Sequence, residues 1–269
     1  MPELPEVETI KRELEPHVVG RELTAVNICD TKIVAHLSPK ILKDRITGKR
    51  IESLKRRGKY LLFRLSSGDY LIIHLRMSGA ILLNPQQPLP HTRLILRLDD
   101  GTELVFTDRR RLGIVSLTDS EKPVEDKLGP EPLKPHFTAE EFANRLQRRK
   151  APIKAVLLDQ KVIAGIGNMY ADEALFKAGI HPLRPANSLS LQETERLHTA
   201  IISTLRSAIK NKGASVETYL RPNGETGTAH FHFKVAHRGG RPCPTCGTPI
   251  QRLPIRNRGS YFCPCCQKY

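Results

Sequence analysis

Cys243-Pro-Thr-Cys246 and Cys263-Pro-Cys-Cys266 stand 16 residues apart near the end of the chain. Two C-x2-C pairs at this spacing are typical of four-cysteine structural zinc sites, in which each pair grips a tetrahedral Zn²⁺ from one turn. We predict one structural zinc held by Cys243, Cys246, Cys263 and Cys266, with a β-hairpin between the pairs. The alternative is a set of buried or redox-active thiols. Cys265 leaves the ligand register open, since it can replace Cys263 or Cys266.

Arg258 lies in the span between the two cysteine pairs, next to Gly259. Because glycine tolerates unusual backbone angles, Gly259 is expected to make a sharp turn that exposes Arg258 at the tip of the hairpin. A planar guanidinium in that place can clamp a phosphate. The alternative is an ordinary solvated arginine of a loop.

The charge of the chain indicates a polyanionic partner. Of 269 residues, 43 are basic and 28 are acidic, which gives a formal net charge of +15. Such an excess is typical of proteins that bind nucleic acid. The basic residues also cluster, whereas a merely soluble basic protein needs no clusters, although some can be solvated helix faces. The clusters lie in residues 55–59, 109–111, 145–154 and 252–258.

The N-terminal residues, the absence of long apolar runs and the distribution of cysteines indicate the cellular compartment of the protein. The first residues are acidic and no apolar run follows them, so we predict no signal peptide. No stretch approaches the roughly 18 apolar residues of a membrane span. We expect a cytosolic monomer with no membrane partner. Five of the six cysteines fall in the last 27 residues, which favours metal binding over disulfides. Cys29 stands alone in a strand pattern and is expected in the core.

The first part of the chain is rich in short β-patterns. Residues 6–17 have the hydrophobic spacing of a helix. Short β-rich runs follow over residues 22–116, among them 60–65 and 70–75 on either side of a hairpin signal at 66–69. These patterns predict a β-sandwich or barrel with one N-terminal helix.

The second part of the chain is predicted to be helical. Residues 118–136 contain four prolines and indicate a linker. Thr138 and Ser190 each precede a glutamate by three residues, the capping box that begins a helix. From about residue 229, short strands are expected around the cysteines.

A glycine-containing loop joins two of the predicted helices. Gly165 and Gly167 allow close approach of another backbone or of a ligand. Asn168 suits the N-cap of the next helix, where backbone N–H groups can hold a phosphate. Many helical hairpins have similar turns, so an ordinary connection is the alternative.

The N-terminus carries a second chemical signal. Removal of Met1 would leave Pro2 with a secondary amine, and an α-amino group has a pKa of roughly 7.7–8. Its neutral form can attack an aldehyde-like sugar carbon and give a cationic iminium. Glu3 follows and can donate or accept a proton. The alternative is an extended leader ahead of a helix.

Together these motifs resemble bacterial formamidopyrimidine-DNA glycosylases. The resemblance implies an α+β protein: an N-terminal β-sandwich with one helix, a linker, a helix–two-turn–helix domain and a C-terminal zinc-finger hairpin. We predict their bounds as 1–117, 118–136, 137–228 and 229–269. The matching motifs are residues 2–9, 57–60, 74–79, 128–132, 159–168 and the zinc hairpin.

The resemblance also implies an activity. The family excises 8-oxoguanine and formamidopyrimidines from damaged double-stranded DNA as a bifunctional glycosylase and AP lyase, with β,δ-elimination, one structural Zn²⁺ and no organic cofactor. Pro2 corresponds to the Schiff-base nucleophile, Glu3 to its acid–base partner, and Lys59 to a phosphate contact near the lesion. DNA contacts are implied for His74, His91, Arg110, Lys154, Asn168 and Arg258.

Two apolar residues correspond to the family's wedge in the base stack. Met77 matches the side chain that fills the hole left by the everted nucleotide. Leu112 stands where the family has phenylalanine, and Arg109 where it has proline, while Arg110 matches the arginine that pairs with the orphaned base. Leucine can still wedge between bases but loses aromatic stacking worth roughly 1–3 kcal/mol. The alternative is that Met77 and Leu112 are core residues.

The resemblance further implies a base-recognition loop, which we place at residues 215–227. Gly224 and Gly227 predict a mobile backbone there, because glycine can adopt a wider range of backbone dihedral angles than any other residue. We expect this loop to contact the everted base.

Two other functions remain to be weighed. An endonuclease VIII-type enzyme would act on oxidised pyrimidines, but Leu4 and residues 108–113 favour the purine enzyme. A catalytically silent DNA-binding zinc protein would keep the clamp and the zinc finger. Intact Pro2 and Glu3 argue against it, provided that Met1 is removed.

Overall fold

The computed structural model describes residues 1–269, which pack into two compact units. The first unit combines Met1–Asp126 with Ile209–His230, and the second combines Lys127–Ala208 with Phe231–Tyr269. Residues 209–230, which the sequence analysis assigns mostly to the helical domain, thus pack within the first unit. The division into four segments stays a prediction. None of the helices has the length and apolar character needed to cross a membrane.

The first unit is a β-sandwich with helices. Its strands form two four-stranded antiparallel sheets, with the orders β1-β6-β7-β5 and β2-β3-β4-β8. The predicted α+β sandwich is therefore confirmed, and the barrel is not formed. The elements are α1 (Leu4–Val18), β1 (Leu23–Ile28), α2 (Pro39–Ile46), β2 (Ile51–Arg57), β3 (Tyr60–Leu65), β4 (Tyr70–His74), β5 (Gly79–Leu83), β6 (Thr92–Leu98), β7 (Glu103–Asp108), β8 (Ile114–Thr118) and α3 (Lys122–Glu125).

One hydrophobic core joins the sheets to α1. Alternate side chains of β3 at Leu61, Phe63 and Leu65 are fully buried, as the two-residue period of a strand requires. Val7 and Ile10 of α1 belong to the same core. Burying a side chain of this size stabilises a fold by roughly 1.5–3 kcal/mol. The N-terminal end of α1 is therefore held firmly in place.

Two predictions for this unit are wrong. The β-rich region contains the helix α2, whose N-cap Ser38 accepts the backbone N–H of Ile41 at 3.2 Å. Only Leu42 and Ile46 of this helix are buried, so its apolar pattern is too sparse to be recognised in the sequence. Cys29 is exposed rather than in the core, because it follows the last residue of β1.

The second unit consists of helices followed by a hairpin. Both halves of the capping box at Ser190 are present, with hydrogen bonds of 3.2 and 2.9 Å between Ser190 and Glu193. At Thr138 only the hydroxyl half forms, because the Glu141 carboxylate binds Arg145 instead. The elements are α4 (Ala139–Gln147), α5 (Ile153–Leu157), α6 (Asn168–Ala178), α7 (Leu191–Lys210, which ends in the first unit), β9 (Gln251–Ile255) and β10 (Arg258–Phe262).

Part of the predicted linker is built into the second unit. The backbone N–H of Gly129 donates to the Gln160 carbonyl at 2.8 Å, and the Pro130 carbonyl accepts the N–H of Ala164 at 3.0 Å. A Cβ on Gly129 would lie 2.5 Å from the Lys161 carbonyl oxygen, so only glycine fits. This stretch supports the two-turn loop that precedes α6.

Candidate active site and metal centre

The start of α1 places the predicted nucleophile and its partner in the first unit. Pro2 is buried and Met1 is half-buried. Glu3 is the N-cap of the helix and is 1% exposed. The Glu6 carboxylate accepts the backbone N–H of Glu3 at 2.7 Å and that of Ala214 at 2.8 Å. Glu6 thereby fixes the chain at Glu3 and ties it to a segment 208 residues further on.

Lys59 and His74 occupy neighbouring places at one end of the β2-β3-β4 sheet. The β2–β3 turn consists of Gly58, whose φ is +56°, and Lys59, which is 7% exposed. The His74 ring lies edge-on to Tyr60 at 4.4 Å, and its Nδ1 accepts the Arg76 N–H at 3.0 Å. Burial, with the charges of Arg76 and Lys59, lowers the pKa of His74 to about 3. The ring is therefore neutral, with its proton on Nε2.

The Asp108 side chain organises the loop between β7 and β8 through hydrogen bonds. It is fully buried, and its carboxylate accepts the N–H groups of Arg110 at 3.1 Å and of Leu112 and Gly113 at 2.7 Å, as well as the Ser78 hydroxyl. Burial alone raises the pKa of Asp108, but these hydrogen bonds outweigh it and hold the pKa below its usual range. The loop is thus ordered by side-chain capping, without the proline of the family motif.

Met77 and Leu112 stand on the surface of the first unit. They are 39% and 41% exposed, among the few large apolar side chains that the fold leaves in water. This exposure rules out the core alternative for both residues. The Arg110 guanidinium donates to the Met77 sulfur at 3.2 Å. Three of the residues implied in opening the base stack therefore project from two loops of the same unit.

Ion pairs between Asp30 and two arginines also support the loop that follows Asp108. The Asp30 carboxylate lies 3.1 Å from Arg111 Nε and 3.3 Å from an Arg93 guanidinium nitrogen. Arg93 Nε also donates to the Asp108 carbonyl at 2.9 Å. The exposed His91 has a φ of +62°, and its carbonyl accepts the Asp108 N–H at 3.0 Å. His91 is therefore set next to the Asp108 loop.

The predicted base-recognition segment, residues 215–227, is part of the first unit. Gly224 has a φ of +85° and open space around its α-carbon. A Cβ on Gly227, in contrast, would lie 2.2 Å from the Gly213 carbonyl oxygen. The Ser215 hydroxyl accepts the Gly227 N–H at 2.9 Å and closes the base of the segment. Close packing against Gly213 therefore explains why residue 227 is a glycine, a reason that the local sequence does not reveal.

Lys154 is fully buried in the second unit. Its ammonium donates to the Asn168 carbonyl at 2.9 Å and to the Asp172 carboxylate. Burial raises the pKa of Asp172 to about 7, although the Lys154 charge acts in the opposite direction. Lys154 therefore holds the first turn of α6, and its implied contact with DNA stays a prediction.

Asn168 is the first helical residue of α6, and the N-cap is Gly167. The predicted N-cap role of Asn168 is wrong, because its side chain reaches away from its own helix. Asn168 Nδ2 donates to the Gly259 carbonyl at 2.9 Å, which ties the two-turn loop to the hairpin. Within the loop, the Gln160 side chain accepts the Gly165 N–H at 2.9 Å.

Arg258 is exposed at the start of β10, directly after the hairpin turn. The turn is made by Arg256 and Asn257, whose φ values are +46° and +60°. The predicted turn at Gly259 is therefore wrong. Gly259 lies in the strand, where a Cβ would come within 2.7 Å of Arg252 Nε.

The four predicted cysteines converge on one point. Their sulfurs lie within 4.8 Å of one another, with 3.8 Å between Cys243 and Cys266 and 3.5 Å between Cys246 and Cys263. A tetrahedral ZnS₄ centre with bonds of about 2.3 Å has sulfur–sulfur edges of about 3.8 Å, so this set fits zinc. Cys265 is exposed and outside the cluster. The chain holds one structural zinc.

Several residues that build the site carry no signal in the sequence. Glu173 on α6 has the look of a surface residue, yet it is buried and accepts the N–H groups of residues 234–236 at 2.8–3.0 Å. Burial raises its pKa. Glu6, Asp30 and Asp108 were likewise missed, because their partners are distant along the chain or depend on the loop conformation.

Comparisons with known proteins agree with this geometry. Family models match the formamidopyrimidine-DNA glycosylase N-terminal domain at residues 1–115, its H2TH domain at 128–219, and a zinc finger found in FPG and IleRS at 240–268. The formamidopyrimidine-DNA glycosylase of Desulfitobacterium hafniense is 45% identical over 273 residues, which cover 99% of this chain and 100% of that protein.

Solved structures are equally similar. The Lactococcus lactis Fpg in complex with DNA containing an abasic site has a TM-score of 0.92 and 35% identity, covering 99% of this chain and 100% of that one. The Thermus thermophilus MutM (FPG) protein has a TM-score of 0.90 and 41% identity, covering 99% and 98%.

Proposed function

The chain belongs to the formamidopyrimidine-DNA glycosylase family, and it is a DNA glycosylase for oxidised purines with AP lyase activity. From this premise we propose which of its residues carry out the reaction. Pro2, freed of Met1, is the nucleophile, and Glu3 is its acid–base partner. Lys59 is the third member of the catalytic group and contacts the phosphate near the lesion.

One observation carries this proposal. Pro2 and Glu3 are buried at the first turn of α1, and the Glu6 carboxylate holds the Glu3 backbone at 2.7 Å. A nucleophile next to a positioned carboxyl group is the arrangement that covalent catalysis with proton transfer requires. Because α1 is anchored in the core, both groups keep their orientation while the substrate is placed.

The reaction follows from the chemistry of a secondary amine. The Pro2 nitrogen forms a bond to C1′ and loses its proton, while the N-glycosidic bond breaks and its electron pair leaves with the base, which takes up a proton. Glu3 protonates the ring oxygen of the sugar, and the ring opens to an iminium. The iminium acidifies the C2′ proton, whose removal expels the 3′ phosphate by β-elimination. A second elimination expels the 5′ phosphate and leaves a one-nucleotide gap.

The damaged base is reachable only after it leaves the stack. Met77 fills the space it vacates, Leu112 enters between bases, and Arg110 pairs with the orphaned base. The exposure of Met77 and Leu112 and the Arg110–Met77 hydrogen bond support these roles. Residues 215–227 contact the everted base.

The remaining predicted residues hold the DNA backbone. Neutral His74 donates from Nε2, and His91 binds from its exposed place next to Asp108. Asn168 and Arg258 bind phosphate from the second unit, where the Asn168 side chain joins the two-turn loop to the strand that begins with Arg258. Lys154 supports Asn168 by holding its carbonyl.

We further infer a monomer that works in the bacterial cytosol, where its duplex DNA is found. The relatives named above are bacterial, and binding of one lesion needs no second copy of the chain.

The test is strand cleavage by processed protein whose loss of Met1 is verified by intact mass. A duplex with 8-oxoguanine opposite cytosine should be cleaved at least tenfold faster than one with an oxidised pyrimidine, and the product should carry phosphate at both ends of the gap. The reverse preference would indicate the endonuclease VIII type. No cleavage of either duplex would indicate a silent DNA-binding protein.

A further inference from the structure

Two glutamates on one face of α1 hold the predicted recognition segment, residues 215–227. Glu6 accepts the N–H of Ala214, directly before the segment, at 2.8 Å. Glu13 binds Arg221, near the middle of the segment. Positions seven apart in a helix face the same side, two turns from each other. The helix that directly follows the proposed catalytic residues therefore also supports this segment.

The Glu13–Arg221 pair is a two-pronged contact. Arg221 Nε and Nη2 lie 3.0 and 2.8 Å from one Glu13 oxygen, and Nε lies 3.2 Å from the other. The two side chains are only 18% and 19% exposed. The Glu13 carboxylate raises the pKa of Arg221. Charge-assisted contacts of a planar guanidinium fix orientation as well as distance.

Two neighbouring contacts extend this latch. The Pro222 carbonyl accepts the Leu83 N–H at 2.8 Å, which joins the segment to the end of β5. Tyr219 is 5% exposed and belongs to the core of the first unit. Only residues 223–226 form a continuous exposed tip. Arg221 is the residue of the segment that forms an ion pair with α1. Its guanidinium also binds Glu225 within the segment, and Glu13 has a second, longer contact with Lys212, outside the segment, at 3.7 Å.

We propose that Arg221 is a positioning residue that determines lesion specificity. By binding Glu13, it holds residues 215–227 docked on α1, so that recognition of the everted base occurs in register with Pro2 and Glu3. This inference rests on the proposed function of the segment and of the N-terminus. A base that is already absent needs no such reading, so the latch acts on base excision and not on the lyase reaction.

The experiment compares two substrates. Arg221→Gln should lower kcat/KM on 8-oxoguanine duplex by roughly tenfold, the size expected for one charge-assisted contact, and leave cleavage of a preformed abasic site within about twofold. Arg221→Lys keeps the positive charge but lacks the planar guanidinium, so its kcat/KM on 8-oxoguanine duplex should lie between those of the wild type and Arg221→Gln. Arg97→Gln is the control, because it removes another Arg–Glu pair, with Glu103 at 2.6 Å, at an exposed position outside the proposed site.

A double-mutant cycle tests the partner. If Glu13 and Arg221 act as one latch, the loss in the double variant Glu13→Gln with Arg221→Gln should be clearly smaller than the sum of the two single losses. Amide hydrogen exchange of residues 215–227 should be faster than in the wild type in the two single variants and in the double variant of this cycle. It should stay unchanged in the Arg97→Gln control.

Three results would overturn the inference. They are 8-oxoguanine cleavage by Arg221→Gln equal to the control, an equal loss on the abasic substrate, or additive effects in the cycle. Failure of the proposed function is distinguishable, because the wild-type protein itself would then not cleave the 8-oxoguanine duplex.

Discussion

The Arg110 guanidinium donates a hydrogen bond to the Met77 sulfur at 3.2 Å, and both side chains are exposed. The two residues come from different loops, which the Ser78 hydroxyl and the Asp108 carboxylate join directly. The proposed reader of the orphaned base and the side chain that fills the vacated space are therefore held as one cluster. The Asp108 carboxylate also accepts the backbone N–H of Leu112 at 2.7 Å, which holds Leu112 in the same loop.

The substitution Leu112→Phe should strengthen lesion binding or speed eversion of the base. It adds a stacking face whose gain is at most about 1–3 kcal/mol. Binding and single-turnover excision on 8-oxoguanine duplex measure the effect. Cleavage of a preformed abasic site is the control and should change little, because no base has to leave the stack. An equal change on both substrates would show that residue 112 belongs to the active-site scaffold.

The stability of the fold should fall in mild acid because of His74. The unfolded chain takes up a proton near pH 6.5, whereas burial lowers the folded pKa of His74 to about 3. Stability is then lost as the pH falls from 6.5 towards 3, and the loss between pH 6.5 and 5 is about 1.6 kcal/mol. Urea unfolding at both pH values measures it. His74→Gln should lose less, and the exposed His17→Gln should match the wild type; equal losses in all three proteins would contradict this assignment.

Breaking the buried Lys154–Asp172 pair should destabilise the second unit strongly. Lys154→Met leaves Asp172 buried without the cation that pairs with it, a change that costs about 3–5 kcal/mol. The double variant Lys154→Met with Asp172→Leu should regain most of this loss, since no buried charge remains. Urea unfolding of the single and double variants gives the comparison. A double variant as unstable as Lys154→Met would show that the ion pair is not the reason.

Metal content should follow the geometry of the cysteine cluster. Cys263→Ser should lose zinc and weaken DNA binding, because three thiolates cannot complete the tetrahedral site. Cys265→Ser removes a neighbouring thiol that lies outside the cluster and should keep one zinc per chain. Metal analysis of the purified proteins decides between them, and the opposite pattern would mean that Cys265 is a ligand.

The parts of this molecule that could be predicted are those whose chemistry depends on near neighbours in sequence. The cysteine spacing indicated zinc, and the hairpin signal at residues 66–69 joined two real strands. The amine nucleophile indicated by Pro2 stays a prediction. Each of these signals can be read from residue types and their spacing along the chain, so no tertiary contact is needed to recognise it.

What could not be predicted depends on contacts between distant segments. Gly259 looked like a turn residue, but it makes room for Arg252, and its carbonyl accepts from Asn168. Gly227 suggested mobility, but its packing partner is Gly213. Neither contact is visible in the local sequence, because the segments that pack against Gly259 and Gly227 are known only once the chain has folded.

Borohydride trapping on DNA containing 8-oxoguanine tests the central claim most directly. Reduction should fix a covalent complex between the processed protein and the DNA, and peptide mapping by mass spectrometry should place the adduct on the Pro2 nitrogen. Pro2→Gly and a protein that retains Met1 should trap poorly. Undiminished trapping by both, with the adduct on a lysine, would contradict the assignment of Pro2 as the nucleophile.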